Sequence, residues 1–324
     1  MYVLELAGED DRFAVAEAGS AASGVERLAP GLAVSESVRP DRVRGLAVTR
    51  WASELVGRTG AGVEDARTLL ESTPTERTGS VAVRARDVRG TAGIDTQEVE
   101  RELGQVLVSH GFDVDLDAPD HELRVCYSRD TCVLGWLVVE AERGFGARAP
   151  TKKPFFQPGS MDPAEARAVV NLAGAASGTI VLDPMCGTGG VLVEAGLVGA
   201  ETIGFDAQRK MVGGARRNLA RYLDGRVAVA MADAGRLPLV EDAVDAVVFD
   251  APYGRQSRVS AADPASLVEA ALAEARRVAA RAVVVADRSL ASDAVAAGWA
   301  VEAVFPRRVH RSLTRYVHVL RGDG

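Results

Sequence analysis

Residues 179–190 read TIVLDPMCGTGG, and this stretch decides the fold. A short β-branched apolar run closes on an acid, Asp183. A glycine-rich turn then opens a predicted helix that begins near Gly190. Gly187 and Gly189 let the main chain turn tightly and approach a ligand with no Cβ in the way. The helix N-terminus that follows favours a carboxylate or phosphate. The spacing is D-x-x-x-G-x-G, which is neither a G-x-G-x-x-G dinucleotide turn nor a Walker loop. An ordinary glycine-rich βα turn would carry the same residues, so the surrounding chain has to arbitrate.

Downstream the same grammar repeats. Apolar strand-like runs stand at 201–206 (ETIGFD), 226–233 (RVAVAMAD), 244–250 (VDAVVFD) and 281–287 (RAVVVAD). Helical periodicity fills 207–223 and 263–279, and YVHVL (316–320) reads as a closing strand. Strands alternating with helices predict a doubly wound α/β domain whose parallel sheet is covered on both faces. Every one of the five runs ends in aspartate: Asp183, Asp206, Asp233, Asp250 and Asp287. Ligands of open α/β sheets sit beyond the carboxyl ends of the strands, so the first four acids are expected along one crevice. Asp206, 23 residues after Asp183, is placed to accept both hydroxyls of a ribose.

Upstream, residues 1–150 change character. SVAVRARDV (80–88) reads as a strand, 96–111 as a helix, and 122–140 as paired strands, so this half is α+β. The proline-rich 147–163 looks like the joint. The expected organisation is an N-terminal α+β (ferredoxin-like) subdomain at 1–50, a second module at 51–148, a linker at 149–163 and the α/β domain at 164–324.

Bulk properties narrow the function classes. The net charge is −7, split as −9 over residues 1–150 and +2 over 151–324. Only three of the 38 basic residues are lysines. An acidic balance argues against a nucleic-acid partner unless basic residues cluster locally. They do so at 143–153 (RGFGARAPTKK, with Lys152 and Lys153) and at 306–315 (PRRVHRSLTR, with Arg307 and Arg308), each with four positive charges and no acid. No uninterrupted apolar run reaches about 18 residues, so no membrane span is expected. The acidic start, MYVLELAGEDDRF, does not resemble a signal peptide, and a cytoplasmic chain is expected. Cys126, Cys132 and Cys186 show no metal spacing and are expected as buried, reduced thiols; no metal site is expected among them or the four histidines. Cys186 has no base beside it and is expected to pack in its loop rather than attack a substrate.

The loop at 183–190 resembles the S-adenosyl-L-methionine site of class I methyltransferases, a Rossmann-like doubly wound fold. That resemblance brings Pro184, Cys186 and Ala234 into the cofactor-lining set and implies a contact from Asp233 to the adenine amino group. DAPYG (250–254) resembles the (D/N)PPY motif of methyltransferases that act on planar exocyclic nitrogens. The motif implies that Asp250 accepts a hydrogen bond from the amine, a main-chain carbonyl of the Asp250–Ala251 turn accepts another, Pro252 fixes the turn and Tyr253 stacks on the base. Ala251 stands where the first proline is usual. The motif alone does not choose between guanine N2, adenine N6 and a glutamine amide.

Segments of the N-terminal half resemble THUMP, an RNA-binding module, and PFFQPGSM (154–161) resembles the segment that joins it to the catalytic domain. Together the chain is similar to archaeal tRNA (guanine-10, N2) dimethyltransferases. This resemblance implies a tRNA substrate, mono- then dimethylation, Pro158, Gly159 and Ser160 near the methionine end of the cofactor, and RNA contacts from Arg84 and Arg86. A monomer is expected. Methylation of guanine N2 or adenine N6 at another RNA position, or an RNA-binding protein with a relic fold, are the alternatives.

Overall fold

The computed structural model describes residues 1–224, 227–252, 264–310 and 313–322. It divides into two units, Met1–Glu142 and Arg143–Gly324.

The first unit runs through β1 (Tyr2–Leu6), α1 (Asp11–Ala18), β2 (Ala22–Ser23), β3 (Glu26–Ala29), β4 (Leu32–Ser35), β5 (Ser37–Val38), α2 (Pro40–Arg44) and β6 (Thr49–Gly60). It continues with α3 (Val63–Ser72), β7 (Ser80–Asp87), α4 (Thr96–Ser109), β8 (Asp113–Val114), β9 (His121–Ser128) and β10 (Thr131–Glu140). Eight of these strands form one sheet in the order β3-β4-β1-β6-β10-β9-β7-β8. Strand β6 carries the 50/51 boundary, so the segments 1–50 and 51–148 contribute to a single sheet. Helix α4 starts where Asp95 accepts hydrogen bonds from the N–H groups of Gln97 and Glu98. It then buries Val99, Leu103, Val106 and Leu107, the i, i+4, i+7, i+8 stripe that one helix face requires. β9 and β10 form a hairpin, with Ser128 opposite Thr131.

The second unit opens with a short turn at Gly144–Arg148, which begins before the expected joint, and another at Pro150–Lys152 inside it. Helix α5 (Pro163–Leu172) follows, with Pro163 in its first turn and Asp162 accepting from the Ala164 N–H. Then come β11 (Ile180–Asp183), α6 (Gly190–Leu197), β12 (Glu201–Asp206), α7 (Arg209–Tyr222), β13 (Val227–Met231), β14 (Ala246–Asp250), α8 (Pro264–Val278), β15 (Arg281–Ala286), α9 (Ala291–Ala296), β16 (Trp299–His310) and β17 (Leu313–Gly322).

The strand order is β13-β12-β11-β14-β15-β17-β16. Strands β11 to β15 are parallel, as the sequence pattern predicts. The closing pair differs: β17 lies antiparallel to both β15 and β16, because the long strand β16 takes the edge and the chain turns back between them. Winding reverses direction between β11 and β14. That is the switch point where the loops after two neighbouring strands part and leave a crevice. A core of Leu182, Phe249, Leu272 and Val284 fixes the sheet against α8, and Leu192, Ala215 and Leu219 pack α6 against α7. His318 is a structural residue of this core. Its Nε2 accepts from the Leu290 N–H at 2.8 Å and its Nδ1 donates to the Val284 carbonyl at 3.1 Å, while burial holds its pKa below the ordinary value.

Candidate active site

The loop after β11 is built by its glycines. Gly187 and Gly189 take φ of +51° and +76°, backbone that side chains rarely adopt. A Cβ on Gly189 would come within 3.2 Å of the Ala215 side chain, so this glycine also allows α7 to approach the loop. Beside Gly187 a Cβ would meet nothing nearer than the Met185 carbonyl at 4.0 Å, so that side of the loop faces open space. The Cys186 N–H donates to the Phe205 carbonyl at 2.8 Å, which ties the loop to β12.

That open space is a cleft of about 490 Å³ at the switch point. The loop after β11 lines it through Asp183, Cys186, Gly187 and Gly190, and the end of β14 lines it through Asp250, Ala251 and Pro252. The third wall is Gln157 to Met161, from the expected joint. Of the expected site residues, Pro158, Gly159, Ser160, Asp183, Cys186, Gly187, Asp250 and Pro252 therefore share one cleft. Tyr253 lies outside the described residues. Pro184 and Gly189 are buried in the loop and do not line the cleft.

Asp206 adjoins the cleft without lining it. Its Oδ2 accepts from the Gly187 N–H at 3.0 Å and its Oδ1 from the Gln208 N–H at 2.8 Å. Each carboxylate oxygen has two acceptor sites, so both keep capacity for a hydroxyl. Asp233 differs from the expected pattern. Strand β13 stops at Met231, and Asp233 sits exposed in the next turn, accepting from the Gly235 N–H at 2.9 Å, with Ala234 buried beside it. Neither lines the cleft.

Acids dominate the electrostatics. Asp183 is buried, and desolvation, together with Asp206 and Asp250 nearby, holds its carboxyl well above the carboxylate range. Asp250 is pushed up to about 7, chiefly by burial, with Arg315 opposing and Glu165 and Asp287 adding to the shift. Its Oδ1 is buried with no hydrogen-bond partner among the described residues. A buried acceptor without a donor is costly, which makes it the natural place for a ligand N–H. The Cys186 thiol is held well above its ordinary pKa by burial and the two acids beside it, so it packs rather than attacks.

Ala251 also finds its reason here. Its N–H donates to the Val285 carbonyl at 2.8 Å, extending the β14–β15 ladder by a bond that proline cannot make.

Residues 150–317 match the family described as RMKL-like, methyltransferase domain. The tRNA (guanine(10)-N2)-dimethyltransferase of Methanothermobacter thermautotrophicus is 34% identical over 285 residues, covering 85% of this chain and 83% of that protein. The chain belongs to the tRNA (guanine(10)-N2)-dimethyltransferase family. A second protein of that name, from Pyrococcus abyssi, is 32% identical over 251 residues, covering 75% of this chain and 74% of its own. The crystal structure of TrmN from Thermus thermophilus shares the fold, with a TM-score of 0.53 at 24% identity and 99% coverage of each chain.

Within this family member, several side chains that hold the site carry no sequence motif. Asn218 of α7 is fully buried; its Oδ1 accepts from the Phe155 N–H, and its Nδ2 donates to the carbonyls of Phe155 and Thr188, all at 2.8 Å. It staples the joint segment to the glycine loop. Ser160 Oγ lies 3.2 Å from Thr188 Oγ1, a second tie across the same gap. Phe155 packs on Gly214, where a Cβ would overlap its ring, and Phe156 is 44% exposed. Arg315 is buried and reaches Glu165, Gly159 and Asp250.

Packing divides the basic clusters between interior and surface. Lys153 is buried near Gly190 rather than on the surface, and Arg148 and Arg167 both bind the fully buried Glu194, at 2.7 and 2.8 Å. One internal acid has drawn these cations inward. Lys152 and Arg308 are exposed and Arg307 is half-buried. In the first unit Arg86 pairs with the buried Glu5 at 2.9 Å, and Arg84 reaches Glu122 and the Leu116 carbonyl. Both arginines thus serve contacts within their own unit.

Proposed function

We propose that this chain uses S-adenosyl-L-methionine to methylate the exocyclic N2 of guanosine at position 10 of tRNA, first to the monomethyl and then to the dimethyl product. The observation that supports this most is Asp250, whose Oδ1 has no hydrogen-bond partner among the described residues and which lines a cleft whose opposite wall is the glycine loop of a methyltransferase fold. Family membership supplies the substrate class.

When bound, S-adenosylmethionine supplies a methyl group already activated by the sulfonium charge, and the protein contributes positioning and electrostatics. Asp206 would hold the ribose, and Pro158, Gly159 and Ser160 would border the methionine end. Asp250 Oδ1 would accept the N2–H of the guanine, and a main-chain carbonyl of the Asp250–Ala251 turn a second hydrogen. This turns the amine lone pair toward the donor carbon. The carboxylate would stabilise positive charge on the nitrogen and take its proton as the methyl passes from sulfur to nitrogen, the C–S bond breaking as the N–C bond forms. Tyr253, by its place in the motif, would stack on the base, which a folded tRNA must first expose.

Residues 51–148 are read as the THUMP module, with Lys152, Arg307 and Arg308 as RNA contacts and a cytoplasmic monomer as the working form. No helix among the described residues is long and apolar enough to cross a membrane.

The test is methylation of an unmodified tRNA transcript, followed by nuclease digestion and mass spectrometry. N2-dimethylguanosine at position 10 is expected, and an unmodified guanosine there overturns the assignment. Asp250→Ala should keep cofactor affinity by isothermal titration while transfer falls by about 1,000-fold. Preserved turnover would remove Asp250 from the mechanism.

A further inference from the structure

Asp250 meets one cation among the described residues, and that cation comes from an unexpected place. Arg315 belongs to the 306–315 stretch that reads as a surface cluster, yet its side chain is 5% exposed. Its Nη2 stands 3.5 Å from Asp250 Oδ2 and donates to the Gly159 carbonyl at 3.3 Å. Its Nη1 pairs with Glu165 Oε2 of α5 at 3.2 Å. One guanidinium therefore touches the carboxylate that would hold the substrate, the turn that would border the cofactor, and the helix behind both.

The two oxygens of Asp250 are thereby made unequal. Oδ2 faces the guanidinium, while Oδ1 is left without a partner among the described residues. A carboxylate free to rotate would expose either oxygen; one anchored on a rigid fork presents a single acceptor in a fixed direction.

We propose that Arg315 is the positioning residue of this site: it anchors Asp250 through Oδ2 so that Oδ1 alone receives the substrate amine. The titratable groups around Asp250 are Glu165 from α5 and Asp287 beyond β15, whose charges raise its pKa, and the buried Asp183 at the end of β11, whose own carboxyl is held well above the carboxylate range. Arg315 from β17 is the cation that offsets them. The inference rests on the methyl-transfer reading of the site, but part of its test needs no substrate.

The Asp250 carboxyl can be followed by 13C NMR in protein labelled at aspartate, its resonance assigned by loss in Asp250→Asn. Arg315→Gln should move the titration midpoint up by about one unit, since an opposite charge at this distance lowers a carboxyl pKa by at least that much. Arg315→Lys should stay close to the parent. Glu165→Gln removes an acid and should move the midpoint down, an opposite sign that a general loss of packing cannot produce. In single-turnover methylation of a tRNA transcript, Arg315→Gln should lose about fivefold more at pH 7 than at pH 9, as the shifted carboxyl re-ionises. Unchanged midpoints in both variants, or a loss in Arg315→Gln that is equal at every pH, would overturn the role of Arg315. A parent enzyme that methylates no tRNA while the midpoints move as stated would instead count against the assigned activity, so the two failures are distinguishable.

Discussion

Asp250 carries two opposed demands. Methyl transfer needs its carboxylate ionised, yet its burial favours the protonated form and holds its pKa at about 7. Turnover should therefore rise with pH through about 7, as a single-turnover pH profile will show. The same shift has a sign for stability. A carboxyl whose folded pKa lies above its unfolded value binds its proton more tightly when folded, so stability falls as pH rises from about 4 to about 7. Above that window the penalty is complete. Asp250→Asn should raise the melting temperature at pH 8, with a gap that narrows toward pH 5 in thermal scans. Asp250 and its turn were legible in the sequence because a motif marks them; Arg315 was not, because Asp250, Glu165 and Gly159, which it meets, lie 65 residues and more away along the chain.

At the scale of elements, the site is three segments held in register. The glycine loop and the β14 turn are placed by the parallel sheet, but Gln157 to Met161 belongs to no strand and needs separate anchors. Asn218 supplies three of them, each to a main-chain group. Asn218→Ala would leave buried donors and acceptors unpaired, which costs about 1–3 kcal/mol each when nothing replaces the bond. A loss of about 3 kcal/mol in denaturant titration is expected, with weaker cofactor binding by calorimetry. Helical periodicity marks α7 in the sequence, but nothing local singles out Asn218. A polar residue on a buried helix face is visible only once the neighbouring carbonyls are known. The expected strand through Asp233 fails for a related reason: β13 is an edge strand, and no further neighbour extends it past Met231.

For the whole molecule the informative quantity is how the charge is spent. Residues 1–150 carry a net −9, and the arginines expected on its RNA face are engaged with acids of the same unit. Glu5 is buried, its carboxyl raised by desolvation despite Arg86, Arg50 and Arg124 around it. Arg86→Ala should cost about 1–2 kcal/mol, because a buried acid loses one of its compensating cations. Denaturant titration checks this, and an unchanged midpoint would return Arg86 to the list of free surface charges. Lys153 and Arg148 tell the same story around Glu194. Counting charges along the chain finds clusters, and only packing tells which of them face solvent.

The sequence by itself determined the alternation of strands and helices, the glycine loop after Asp183 and the acid at the end of β14, because hydrophobic period, turn chemistry and strand-end aspartates are local properties of the chain. Tertiary structure decided which acids share the cleft, that Ala251 completes a ladder bond, and that a buried arginine from the last strand confronts Asp250. Those facts depend on which distant segments the sheet order brings together, and on the burial that follows from it.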